Sequence, residues 1–171
     1  MAANTYTLIS SQVLGSATAT VTFNSIPSTY TDLILRVSAR STGNIDLVTL
    51  TFNGDTATNY SRTMLRGSGS AADSSTQSSQ TSLSLDGTTD PSSYTANTFA
   101  SCDIYIPSYT ASQNKPNSSF GATETNATAA YIISQANLWR NTAAITSIAL
   151  GPSGTTFVTG SSFYLYGIKN S

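Results

Sequence analysis

Histidine is absent from this chain of 171 residues, cysteine and tryptophan occur once each, and only 9% of the residues are charged, against about 25% in an average globular protein. Each scarcity excludes a kind of chemistry. With no imidazole, a serine or cysteine nucleophile lacks its usual base, and every histidine-containing metal site is ruled out. The lone Cys102 excludes an internal disulfide framework and any multi-cysteine metal centre. Seven basic residues scattered through a chain of net charge −1 give no clustered basic surface, so no nucleic-acid partner is expected. No apolar run approaches the roughly 20 residues of a membrane-spanning helix, and no membrane partner is expected either. "MAANTYTLISSQ" has no charged segment followed by an apolar one, so no secretory signal is read there. The expectation is a protein made in a cytoplasm and used there, or carried outside by an assembly.

What is abundant is hydroxyl. Serine and threonine supply 57 of the 171 residues. Such a composition, with little charge and few strong hydrophobes, also describes disordered chains, but those combine high net charge with few aromatic or β-branched residues. Here nine tyrosines, six phenylalanines and many valines, isoleucines and threonines argue for a folded β protein. At this length one domain over residues 1–171 suffices, and it can bury roughly 70% of its unfolded surface without a staple.

Short alternating segments recur every 8 to 12 residues or so, the pattern of a sandwich or barrel. In "DLILRVSAR", Leu33, Leu35, Val37 and Ala39 share one face, while Ile34, Arg36, Ser38 and Arg40 share the other. Ten further segments read the same way: 6–12, 19–24, 47–53, 59–65, 80–85, 99–106, 118–125, 130–139, 145–150 and 162–168. The alanines of "NATAAYIISQANLWRNTAA" would suit a helix, but its alternation favours a strand. Cys102 shares a face with Ile104 and Ile106, which marks it as a buried small hydrophobe rather than a reactive thiol. A tight hairpin turn is expected at Asn53-Gly54-Asp55, further turns at Asp86-Gly87 and 151–154, and strand ends near Pro27 and Pro107. "RGSGSAADSSTQSSQ", residues 66–80, reads as a flexible Ser/Gly-rich surface loop. "SIPSTYT" and "YIPSYTAS" echo each other as two strand exits. The ending "SSFYLYGIKNS" is too aromatic for a dangling tail, and its strand is expected to lie inside the fold. The sum is an all-β, antiparallel sandwich or barrel of about 8–11 strands.

Candidate sites are few. The acids Asp32, Asp46, Asp55, Asp73, Asp86, Asp90, Asp103 and Glu124 fall mostly at turns or strand ends, which suits turn formation better than a catalytic pair. No catalytic residue and no cofactor are expected, since neither a phosphate-binding glycine loop nor a dinucleotide fingerprint is present. Asn53, Asp55 and Asn59 offer oxygens for calcium but lack the spacing of a known loop, so no metal is assigned. Asn-x-Ser/Thr triplets at Asn59, Asn117 and Asn126 are what chance supplies in so hydroxyl-rich a chain. Tyr30, Tyr60, Tyr94 and Tyr109 fall at loop-like positions and could stack on a glycan or cap the sandwich core. Arg36 and Arg40, on the outward face of their strand, could meet an acidic partner or simply face solvent.

The ordered set "YTLISSQVLGSATATVTFNSIPSTYTDLILRVSAR", "LTFNGDTATNYS", "IYIPSYTASQNKPNSSFGATETNATAAYI" and "SFYLYGIKNS" resembles small structural proteins of tailed bacteriophages, cyanophages among them. The resemblance runs along essentially the whole chain, with "TFNGDTATNYS" and "FYLYGI" its most specific parts. It implies a non-enzymatic, jelly-roll-like β-sandwich module of the virion: most directly a capsid decoration (cement) protein, alternatively a receptor- or glycan-binding module of a head or tail fibre. It further implies, as partners, the major capsid protein or other virion proteins and copies of itself, a homotrimer being favoured. A host surface glycan is the partner under the alternative.

Overall fold

A computed structural model describes residues 5–124 and 130–169. Twelve strands and no helix occur among them: β1 Tyr6–Val13, β2 Val21–Phe23, β3 Asp32–Ala39, β4 Leu47–Phe52, β5 Tyr60–Gly67, β6 Ala72–Gln80, β7 Leu83–Asp86, β8 Ala100–Ile106, β9 Lys115–Glu124, β10 Ala130–Trp139, β11 Ile148–Pro152 and β12 Ser162–Ile168. They form an eight-stranded sheet in the order β1-β12-β3-β8-β9-β10-β5-β6 and a four-stranded sheet in the order β2-β11-β4-β7, antiparallel throughout. The two pack as a sandwich.

The topology is a jelly roll with two insertions. β1 pairs with β12, β2 with β11, β3 with β8 and β4 with β7, which is the nested pairing of one long hairpin rolled across two sheets. Between β4 and β7 the chain inserts the hairpin β5–β6, and between β8 and β11 the hairpin β9–β10. Both insertions join the same sheet, doubling it from four strands to eight.

The core follows from period-two alternation. Leu33, Leu35 and Val37 of β3, Cys102, Ile104 and Ile106 of β8, and Phe163 and Leu165 of β12 point inward, where they meet Val48, Leu50 and Phe52 of β4 and Ile148 and Leu150 of β11. Burying each such side chain contributes about 1.5–3 kcal/mol against exposure. Under the inserted hairpins the inner face turns polar. Arg62 forms an ion pair with Asp86 at 2.9 Å, and both Arg62 Nη1 and Gln135 Nε2 donate to the Ser84 carbonyl of β7. Side chains of the large sheet thus take up the free edge of the small one. Aromatic rings of Phe52, Tyr60 and Trp139 close the seam, with centroids 5.4–6.4 Å apart.

The expected strands are present, with three differences. Residues 66–80 form the end of β5, a turn and the whole of β6 rather than a flexible loop. β6 escaped notice because it is exposed on both faces, so no apolar alternation marks it. Three strands start three residues from where the alternation suggests: β7 at Leu83 and β11 at Ile148, later, and β9 at Lys115, earlier. The Asn53-Gly54 turn is present, with φ of 54° and 66°, but it carries the chain from one sheet to the other instead of closing a hairpin. Strand β10 is extended, as its alternation indicates, and β8 stops at Ile106, before Pro107. β12 lies between β1 and β3, so the aromatic run near the chain's end is inside the fold.

Candidate functional site

The sequence-derived candidates do not converge. Tyr60 and Tyr109 are fully buried, so neither ring can stack on a sugar. The Tyr60 hydroxyl accepts from the Phe52 amide at 3.1 Å and donates to the Asp55 carbonyl at 3.0 Å, while that of Tyr109 donates to the Pro27 carbonyl. That last bond joins the two echoing segments, which Asp32 also links by accepting from the Ser108 amide at 2.8 Å. Tyr30 is half-buried against β12: a Cβ placed on Gly167 would lie 2.3 Å from its ring. Tyr94 is half-buried, and burial pushes its hydroxyl up to about 12.

Arg40 also departs from its expected place. Alternation places it outward with Arg36, but β3 ends at Ala39 and the period ends with it. The Arg40 guanidinium turns in, is buried, and donates to the carbonyls of Thr95 at 2.7 Å and of Ser92, Tyr94 and Thr98 at 3.2 Å. It fastens the loop between β7 and β8 and presents no charge to a partner.

The oxygens weighed for calcium are also spoken for. Asp55 accepts from Ala57 N and Asn59 Nδ2 at 2.9 Å, Trp139 Nε1 at 2.8 Å and Asn141 Nδ2 at 3.3 Å, and these donors hold its carboxyl at about 2. Asn53 Oδ1 accepts from Thr146 and Ser147. A carboxylate whose oxygens already accept four N–H donors has little left to offer a cation, and among the described residues no group of three or more acids, cysteines or histidines is placed to hold one. Of the chance glycosylation triplets, Asn117 is buried, Asn59 is tied to Asp55, and Asn126 lies outside the described residues.

Arg36 is the one candidate left on an open surface, and it leads to the site that alternation alone did not single out. The outer face of the eight-stranded sheet is covered by no other element among the described residues. Its register aligns Tyr164, Arg36, Asp103, Phe120, Ser134, Leu65 and Ser74 in one row across seven strands. At one end, Arg36 Nε meets Asp103 Oδ1 at 3.3 Å beside Tyr164, Tyr166 and Tyr6, over a shallow groove of about 500 Å³. Both charges are well exposed, so the pair contributes about 0–1 kcal/mol and remains available to a partner. At the other end Leu65, Phe120 and Ile132 stand 62%, 54% and 53% exposed around a second, apolar depression. The face can therefore supply apolar contact, aromatic planes and one ion pair. The signal for it was present in the ending, where Tyr164 and Tyr166 alternate with the buried Phe163 and Leu165. Ser118, Phe120 and Ala122 give the same outward period in β9.

No protein-family model matches this chain, and no curated protein sequence does so.

Proposed function

We propose that this chain is a non-enzymatic structural module of a phage virion, a capsid decoration protein that attaches through the outer face of its eight-stranded sheet. The observation that carries the reading is the exposed trio Leu65, Phe120 and Ile132, aligned on a face that nothing in the described chain covers. Large apolar side chains grouped this way mark an interaction surface, whereas single exposed ones mean nothing. The virion setting rests on the resemblance of the sequence to phage structural proteins. A jelly roll agrees with it, since viral capsid domains use this architecture, but lectins use it too and fold alone assigns no function. The experiment is to mix the purified chain with undecorated heads of its phage. Saturable binding in many copies, raised resistance of the heads to heat, and loss of both in a Phe120→Ser/Ile132→Ser variant that still folds are expected. Full occupancy by that variant, or no binding by the parent chain, would overturn the proposal.

A second reading follows from the other end of the row. Tyr6, Tyr164 and Tyr166 beside the Arg36–Asp103 pair offer flat apolar faces flanked by hydrogen-bonding groups, which is what a sugar ring requires. Under this reading the chain is a glycan-binding module of a head or tail fibre. Reproducible binding on a glycan array, abolished by Tyr164→Ala and Tyr166→Ala, would favour it over decoration.

A further inference from the structure

A sandwich of two open sheets has four edges, and three of them are guarded. β2 spans only three residues, and its Thr22 carbonyl accepts from Gln12 Nε2 at 2.7 Å. β7 spans four, with the Ser84 carbonyl taken by Arg62 and Gln135. β1 is long, but a bulge at Ile9, between Leu8 and Ser10, breaks its ladder after three residues. The fourth edge, β6, is different. It pairs with β5 in unbroken register from Ala72 to Gln77 before its own bulge at Ser78 and Ser79, where Ser79 has a φ of 54°. Those six residues contain no proline and no lysine, and their one charge, Asp73, is paired with Arg66, so the devices that normally blunt an edge are largely missing from them. Alternate amides and carbonyls along them point away from β5, with no strand to meet among the described residues.

We propose that β6 is a self-association edge, on which a second copy of this chain docks antiparallel, β6 against β6, across a twofold axis near Ser74 or Ser75. The charges fit this occupant. Asp73 is the only ionic group on the strand and is already matched by Arg66, through bonds of 3.0 and 3.1 Å. With the dyad at Ser75, Asp73 lies opposite Gln77 of the second copy and Ser74 opposite Thr76, so no like charges oppose one another. The isologous pairing consumes both edges at once and joins the two eight-stranded sheets into one continuous surface. A threefold ring joined edge to edge through the large sheet would instead need β6 of one copy on β1 of the next, where the Ile9 bulge interrupts the partner strand. The twofold pair is accordingly favoured over the trimer that the sequence resemblance implies. This inference does not depend on the virion reading, because it concerns the backbone groups of β6, whereas the trio's side chains stand on β5, β9 and β10.

The test is sedimentation of the full chain from micromolar to millimolar concentration, with Ser74→Lys and Ser75→Lys variants whose melting confirms folding. A concentration-dependent dimer is expected, and lysines facing each other at the dyad should weaken it about tenfold or more. In parallel, Ser74→Cys or Ser75→Cys should cross-link between copies under mild oxidation, faster than Ser70→Cys in the adjoining turn, because self-paired Cα atoms lie only about 4.5–5.5 Å apart. Cys102, being buried, does not compete. A chain that stays monomeric throughout, or a dimer whose affinity survives both lysine substitutions, would overturn the proposal. So would a dimer that instead falls apart in the Phe120→Ser/Ile132→Ser variant.

Discussion

The indole N–H of Trp139, at the end of β10, donates to the Asp55 carboxylate at 2.8 Å, so the last residue of an inserted strand is tied to the crossover between the sheets. Asn59, Ala57 and Asn141 donate to the same group, and hydrogen bonds from Asn59 foremost hold its pKa at about 2, below the ordinary 3.8. A carboxyl whose pKa is depressed in the folded state stabilises the fold above its unfolded pKa and loses that contribution as pH falls through the folded value. Between about pH 4 and pH 2 the protein should therefore lose stability through Asp55. Urea unfolding across that window should show the loss in the parent chain and a shallower slope in Asp55→Asn. At neutral pH the variant should be less stable by about 1–2 kcal/mol, and the two should converge near pH 2.

Arg40 holds four backbone carbonyls of one loop with its two terminal nitrogens, a geometry that a guanidinium supplies and an ammonium does not. Arg40→Met should cost about 2–3 kcal/mol, because the loop's carbonyls lose charged donors while partly buried. Arg40→Lys should recover only part of this. Hydrogen exchange localises the effect: amides of residues 92–98 should lose protection in both variants, while those of β3 and β12 keep theirs. Equal loss across the whole sheet would show that Arg40 supports the core rather than the loop.

These two residues also show what the sequence could and could not reveal. Alternation identified the strands whose two faces differ, including β10, where alanine content argued for a helix. It failed where the faces are alike: β6 is exposed on both sides, and nothing in "ADSSTQSSQ" distinguishes an edge strand from a linker. Nor does a period of two say where a strand stops, which is why Arg40 was read as outward. Tyr60 falls within the expected strand 59–65, just after the Asn53-Gly54-Asp55 turn, yet is also counted among the loop-like tyrosines. In the fold it opens β5, and its hydroxyl reaches back to that turn. The candidate site was the least legible part, since its row crosses seven strands and only the register assembles Arg36, Asp103, Phe120 and Leu65 on one surface.

Cys102 faces the core between β3 and β9, beside Thr88, and burial pushes its thiol up to about 11. Thiolate is the reactive species, so both its scarcity and its inaccessibility slow modification. At pH 8 a water-soluble disulfide reagent should leave the folded protein unmodified on a timescale that suffices to label the urea-unfolded chain fully. Labelling of the folded protein at a rate comparable to the unfolded one would mean that the sandwich opens at β8 far more readily than its packing indicates.

β12 is an interior strand of the large sheet. It pairs over seven residues with β3 on one side, from Ser162 to Ile168, and with β1 on the other, so its removal orphans two ladders and detaches β1 altogether. It also takes Phe163 and Leu165 out of the core, the first of which packs edge-on against Phe157 with ring centroids 4.9 Å apart. The lost burial alone is about 3–6 kcal/mol, a large part of the 5–15 kcal/mol by which domains are usually stable. A chain truncated after Gly160 should accordingly fail to give a soluble, cooperatively melting protein. Restoring the strand as a separate peptide of residues 161–171 during refolding should recover some native near-ultraviolet dichroism, because β12 makes its ladders without requiring a covalent link to β11. A truncated chain that melts cooperatively without the peptide would show that β3 and β8 with the small sheet form a sufficient core.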